Sequence, residues 1–196
     1  MIFESKNKTI QYCPTPKCGC TSTKVMIRKG IEGVIDYEED IHFRYWTDTF
    51  KAADVDIKFC IVREPVSRFL SAYSNRVVNT DEWNIPFVEL NEFIDNFHNN
   101  HYKSNERIHH HFRPQVDFIG PDPNYYDRVF FLDEMSLVSE FLSEIMGKTI
   151  KLEKLQTVDS SKNPSWFKKP IPTKTQINSI KSFYEDDYKF LKQIKK

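Results

Sequence analysis

The sequence predicts an α/β fold in three layers, a central and mostly parallel sheet flanked by helices. Two observations predict it. Unbroken apolar runs of the kind that buried parallel strands carry stand at Phe59-Cys60-Ile61-Val62 and Val129-Phe130-Phe131-Leu132. Strand-like segments also alternate with helical ones along the chain, the order that a parallel sheet with crossover helices requires.

The first strand reads from Thr9 to Cys13 and leaves through the turn Pro14-Thr15-Pro16. Thr21 to Lys29 follows as a helix, with Gly30 as its stop. The second strand occupies Asp56 to Val62, and Pro65 opens the next helix, where a missing N–H costs nothing. Val66, Phe69, Leu70 and Tyr73 share one face of that helix. After Pro86, Phe87, Leu90, Phe93, Ile94 and Phe97 recur at helical spacing. Asn99 to Arg113 is polar and histidine-rich and reads as a loop. Arg128 to Leu132 is the third strand. Ser136 is then expected to cap a helix that buries Leu137, Phe141, Leu142 and Ile145 and stops at Gly147. Pro164, Pro170 and Pro172 break Ser160 to Pro172 into a loop. Thr173-x-x-Gln176 is a capping box that opens the last helix. With no internal repeat, low-complexity tract or linker, residues 1–196 are expected to form a single domain.

Bulk composition narrows the function. Lys plus Arg and Asp plus Glu number 28 each, so no global charge favours a nucleic-acid partner, and any anion site must be local. The 16 Phe and 9 Tyr supply ample apolar area for a core. No apolar stretch reaches the roughly eighteen residues of a membrane span, and the N-terminus lacks a basic start and apolar run. A cytoplasmic enzyme is the expectation. The thiols Cys13, Cys18, Cys20 and Cys60 fit a reducing compartment. Their Cys-x-Cys spacing is wrong for the usual zinc pattern, and the consecutive side chains of His109-His110-His111 do not converge on one ion, so no metal site is expected.

The most informative stretch is Cys13-Pro14-Thr15-Pro16-Lys17-Cys18-Gly19-Cys20-Thr21-Ser22-Thr23-Lys24. It leaves a strand, turns through small residues and enters a helix. Backbone N–H groups at a helix start, the helix dipole and a lysine together make an anion site. Gly19 lets the backbone approach the guest, Thr21 and Ser22 add hydroxyl donors, and Lys17 adds charge. The arrangement is P-loop-like, but the lysine precedes the glycine, unlike the Walker A pattern. The plainer reading of this stretch is a capped helix after a proline-rich turn.

The second motif is Arg63-Glu64-Pro65-Val66-Ser67-Arg68-Phe69-Leu70-Ser71-Ala72-Tyr73. Arg63 stands where a parallel strand ends, the place where open α/β sheets bind ligands. Arg63 and Arg68 can offer forked donors to a phosphate, and Ser71 follows Arg68 by one helical turn. The plainer reading here is a helix start with solvated arginines and a small packing serine.

Taken together, the two motifs resemble the PAPS-dependent sulfotransferases, where PAPS is 3′-phosphoadenosine 5′-phosphosulfate. Pro16-Lys17-x-Gly19-x-Thr21-Ser22 is similar to that family's loop for the 5′-phosphosulfate, which places Cys18 and Cys20 in the same loop. Arg63-x-Pro65-x-x-Arg68-x-x-Ser71-x-Tyr73 is similar to its 3′-phosphate motif, in which the arginine and serine bind that phosphate. Phe112-Arg113-Pro114-Gln115 and Tyr126-Asp127-Arg128-Val129-Phe130-Phe131-Leu132-Asp133-Glu134 resemble later segments of the Golgi carbohydrate sulfotransferases that act on heparan and chondroitin. Glu64 replaces the commoner aspartate, and the chain is short, so acceptor-binding insertions are expected to be reduced. The resemblance implies a P-loop-like three-layer fold. It also implies PAPS as donor, PAP as product and a carbohydrate or glycan hydroxyl as acceptor.

Sulfuryl transfer requires deprotonation of the acceptor, in-line attack on sulfur and stabilisation of the leaving phosphate. Lys17 is the candidate for the last task. The candidate base is His42, whose ordinary pKa suits neutral pH and which lies between the two motifs, as a catalytic histidine does in some heparan-type relatives. Glu38, Glu39 and Asp40 are rival bases. Trp166 and Phe167 are candidates to stack on an adenine or sugar ring, with a core role as the alternative. Two other functions stay open at this point. A P-loop-type nucleotide kinase would want its lysine after the glycine, and a non-catalytic nucleotide- or glycan-binding protein would need no base.

Overall fold

A computed structural model describes residues 1–33, 49–78, 88–97, 105–152 and 171–194. The chain divides into two compact units. The first comprises Met1–Arg63, Gln115–Thr157 and Phe190–Lys196, and the second Glu64–Pro114 and Val158–Lys189.

The first unit is built on a four-stranded sheet, β1 (Ile2–Ser5), β2 (Lys8–Cys13), β3 (Ile57–Val62) and β4 (Arg128–Phe131), in that spatial order. β2, β3 and β4 are parallel, and β1 is antiparallel to β2. Side chains alternate between faces, as the two-residue period of a strand requires. Ile10, Tyr12, Phe59, Ile61 and Phe130 pack with Met26 and Ile27 of α1 (Cys20–Glu32) and with Val138 and Leu142 of the helix Met135–Met146. Cys13, Cys60 and Val62 face the other way, against Phe118, Ile119, Tyr126 and Phe190. Helices therefore cover both faces of the sheet, and the α/β expectation holds.

Three local expectations change. β1 is an additional strand, joined to β2 by Lys6-Asn7 with φ of 49° and 61°, the left-handed pair that a two-residue hairpin uses. α1 runs through Gly30 and ends at Gly33, whose φ is 81°. Gly30 packs against Met146: a Cβ on it would stand 1.9 Å from Met146 Sδ, and that flexible side chain would have to shift. The helix Met135–Met146 follows a short 3-10 turn, Leu132–Glu134, so Ser136 lies inside its first turn rather than at its cap. Its apolar arc is shifted accordingly, with Val138 fully buried and Leu137 46% exposed. Its stop at Gly147 is as expected, with φ 67°.

The second unit is helical where it is described. α2 (Pro65–Tyr73), α3 (Leu90–Phe97), α4 (Glu106–Phe112) and α7 (Lys174–Phe183) surround an aromatic core, numbered so that α5 is Val116–Ile119 and α6 is Met135–Met146 of the first unit. In that core the Phe69, Phe93 and Phe97 rings stand 5.0, 5.0 and 5.4 Å from Phe112, centroid to centroid. α4 corrects the loop expected over Asn99 to Arg113. Ile108 and Phe112, one helical turn apart, are both buried, and the Ile108 N–H bonds to Asn105 Oδ1 at 3.2 Å. Three consecutive histidines hid that apolar pair. The capping box is present: Thr173 N–H donates to Gln176 Oε1 at 2.8 Å, and Gln176 N–H to Thr173 Oγ1 at 3.3 Å. It opens α7, and a further helix, α8 (Glu185–Gln193), follows the break at Tyr184. Among the described residues no helix is long and apolar enough to cross a membrane.

Candidate functional site

In the first unit the chain leaves β2 through the buried residues Pro14, Thr15 and Pro16 and turns where Cys18 N–H donates to Thr15 O at 3.2 Å. Lys17 has φ 67° and Gly19 φ 72°. Both are left-handed, which costs a residue with a side chain about 1–2 kcal/mol and glycine almost nothing. Gly19 is the N-cap of α1 and offers no side-chain cap, and no acidic residue stands in the first turn. The first intrahelical bond runs from Thr23 N–H to Gly19 O at 3.0 Å, so the N–H groups of Cys20, Thr21 and Ser22 lie ahead of the helical ladder. This helix start favours negative charge. A Cβ on Gly19 would lie 3.1 Å from both Leu132 Cδ1 and Met135 Sδ, so the loop is seated on the turn that follows β4.

Arg63 follows the last residue of β3. Its Nη1 donates to Lys17 O at 3.2 Å, which joins the strand-end arginine to the anion loop. Gln115 grips the same residue: its Nε2 donates to Arg63 O at 2.9 Å, and its Oε1 accepts Arg63 N–H at 2.9 Å and the Cys18 thiol at 3.3 Å. Further along α1, burial pushes the Lys24 ammonium below its ordinary pKa, opposed by Cys20. Burial also holds the Cys13 and Cys60 thiols above theirs, Cys60 strongly, so these two register partners stay protonated and unreactive near neutrality. Among the described residues no group of three or more His, Cys, Asp or Glu is placed to hold a metal ion.

The second unit holds the rest of the arginine motif. Glu64 caps α2, its two carboxylate oxygens accepting the N–H of Val66 at 3.1 Å and of Ser67 at 2.6 Å, and it also accepts the Tyr188 hydroxyl. Burial and Glu64 together raise the Tyr188 phenol. An acid is suited to this position because it caps a helix start. Arg68 lies within the second unit. It is fully buried, its Nη1 donates to Arg113 O at 2.8 Å and its Nη2 to His111 O at 3.3 Å, and its guanidinium lies 5.9 Å from the Tyr184 ring centre. It therefore closes the C-terminal end of α4. Tyr184 supports the same turn by donating to Phe112 O at 2.7 Å. His111 accepts from Arg76 through Nε2, at 3.1 Å from Nε and 2.9 Å from Nη2, which puts its ring proton on Nδ1. Ser71 is half-buried on α2, and its part in phosphate binding rests on the motif alone.

Pro16, Lys17, Cys18, Gly19, Cys20, Thr21, Ser22 and Arg63 thus belong to the first unit, and Arg68 and Ser71 to the second. His42, Glu38, Glu39, Asp40, Trp166 and Phe167 lie outside the described residues. Sequence reasoning did not single out Gln115 as a site residue. Its signal was an amide placed after Arg113-Pro114 in a segment already noted for its resemblance.

A sequence model described as the sulfotransferase family matches residues 1–192. No curated protein matches the chain, and no solved structure does.

Proposed function

The chain belongs to the sulfotransferase family, and from that premise we propose that it transfers a sulfuryl group from PAPS to a hydroxyl of a carbohydrate or glycan, releasing PAP. The observation that carries the donor half of this reading is the bond from Arg63 Nη1 to Lys17 O. It ties a half-buried cation at the end of a parallel strand to a loop whose left-handed residues lead into an acid-free helix start. A dianionic phosphosulfate suits that chemistry: backbone N–H groups and the helix dipole face it, and two cations flank it.

In the proposed reaction the acceptor oxygen attacks sulfur in line. A new S–O bond forms as the bond from sulfur to the bridging phosphate oxygen breaks, and the electron pair leaves with PAP. The acceptor proton passes to a base. Lys17 is assigned to the bridging oxygen and the N–H groups of Gly19 to Ser22 to the phosphosulfate oxygens, so that charge appearing on the leaving group meets donors already in position. His42 is assigned as base on its position between the two motifs and its usable pKa.

Calorimetry with PAP, ATP and GDP tests the donor. PAP should bind most tightly, and equal or tighter ATP binding would return the chain to the nucleotide-kinase reading. Transfer of labelled sulfuryl from PAPS to sugar, lipid and peptide acceptors tests the acceptor, with sugars expected to be labelled. His42→Ala should keep PAP binding while turnover falls by about 10²–10⁴-fold, the usual loss for a general base. If His42→Ala turns over normally and Glu39→Gln does not, the base is a carboxylate.

A further inference from the structure

Gln115 closes a circuit of bonds in the first unit. Its side-chain amide pairs with the backbone of Arg63 through two hydrogen bonds of 2.9 Å, one in each direction. That is the pairing a neighbouring strand would supply, and it falls one residue beyond Val62, where β3 ends. The Gln115 Oε1 also accepts the Cys18 thiol at 3.3 Å, while the Arg63 guanidinium returns to Lys17 O at 3.2 Å. The anion loop and the strand-end arginine are therefore joined twice, once through the guanidinium and once through Gln115.

The circuit matters because of what it holds. Lys17 keeps a left-handed φ of 67°, a conformation that persists in a residue with a side chain only where its surroundings over-determine it. Gln115 is 1% exposed, so its amide bonds form away from competing water. An apolar side chain of the same shape would fill the space and leave the Arg63 N–H and carbonyl without these two bonds. Only the guanidinium bond to Lys17 O would then tie Arg63 to the loop, and the Arg63 backbone would lose its fixed register.

We propose that Gln115 is a positioning residue, which sets the backbone of Arg63 and the Lys17-Cys18 turn in the register at which both groups meet the sulfuryl donor. The inference rests on the assignment of Lys17 and Arg63 to that donor.

The test is calorimetric titration of PAP into the full chain and its variants, each first shown by circular dichroism to be folded at the working temperature. Gln115→Met keeps the volume and should weaken PAP binding about tenfold or more, the effect of losing two buried hydrogen bonds. Tyr125→Phe is the control for general loss of stability. It removes a clamp elsewhere in the same unit, where the phenol donates to Gln11 Oε1 at 2.5 Å and accepts Ala53 N–H at 2.7 Å, and it should bind PAP as the wild type does. Cys18→Ala removes a donor to Gln115 and should bind PAP measurably less tightly than Cys18→Ser, which keeps one.

Wild-type affinity in Gln115→Met overturns the inference, and so does equal weakening by Tyr125→Phe. If Gln115→Met does not fold, the Cys18 pair decides, and wild-type affinity in Cys18→Ala overturns the inference. A wild type that does not bind PAP overturns the donor assignment itself, and this inference falls with it.

Discussion

Arg63 and Arg68 belong to one motif but to different compact units, and their side chains meet different surroundings. Arg63, in the first unit, is half-buried at the carboxyl end of β3 and reaches a loop carbonyl with one guanidinium nitrogen. Arg68, in the second, is fully buried and gives two nitrogens to the carbonyls that end α4. Their surroundings differ in the same sense. The first unit gathers left-handed backbone and an acid-free helix start at its strand ends, features that cost stability and suit an anion. The second packs Phe69, Phe93, Phe97 and Phe112 into a core, with Glu64 capping α2 and Arg68 bonded to the carbonyls at the end of α4. Two cations spaced for one phosphate in sequence thus meet different surroundings, Arg68 as a framework group of the second unit and Arg63 at a strand end beside the loop.

The largest effect should come from breaking the framework arginine. Arg68→Met removes both bonds to the α4 carbonyls and should destabilise the protein by about 3 kcal/mol or more in urea unfolding, since bonds from a charged donor contribute about 1.5–3 kcal/mol each. If Arg68→Met is as stable as the wild type and loses PAP affinity instead, the contrast between the two arginines collapses.

Arg63→Ala should show the reverse pattern. PAP affinity should fall by about 1.5–3 kcal/mol in calorimetry, with a much smaller change in stability than Arg68→Met. Unfolding curves and titrations on the same sample read both quantities, and a stability loss matching that of Arg68→Met would make Arg63 a framework residue too.

Gly19→Ala probes the strained loop. Adopting φ 72° costs an alanine about 1–2 kcal/mol, and Leu132 and Met135 must also give way by a few tenths of an ångström. PAP binding should weaken along with stability. Unchanged values of both would show that the loop can relax without consequence for the helix start.

The smallest effect lies at the amino ends of the same strands. Thr9 donates to Asp56 Oδ2 from its N–H at 2.7 Å and its hydroxyl at 2.9 Å, and these bonds hold the Asp56 carboxyl below its ordinary 3.8. A folded-state pKa below the unfolded one contributes stability above 3.8, and that contribution is lost as pH falls through the folded value. Asp56→Asn should therefore be slightly less stable than the wild type near neutrality, and the gap should close in acid. A gap that stays constant as the pH is lowered would remove the carboxylate from the account.

Some elements were legible because their signal is local. Pro65 at the first position of α2, the Thr173 and Gln176 capping box and the Gly147 stop each depend on a few adjacent residues, and the structure reproduces all of them. Others were hidden where a local signal had a distant cause. Gly30 looks like a helix stop, yet it lies within α1, packed against the distant Met146 side chain. Leu137 is as apolar as Val138, and which of them faces the core depends on where the preceding turn lets the helix begin.

The sequence by itself determined the strand, loop and helix of the first motif, the arginine at the end of the next strand, and membership of a sulfotransferase family. All of these rest on residue types at short spacing, where backbone geometry leaves little choice. Only the tertiary structure decided that Arg63 meets the loop while Arg68 closes α4, and that Gln115, distant in sequence from both Cys18 and Arg63, bonds to each of them. The physical reason is that a hydrogen bond between distant segments is selected by burial and by which groups packing leaves in reach, and neither quantity is a property of any short stretch of chain.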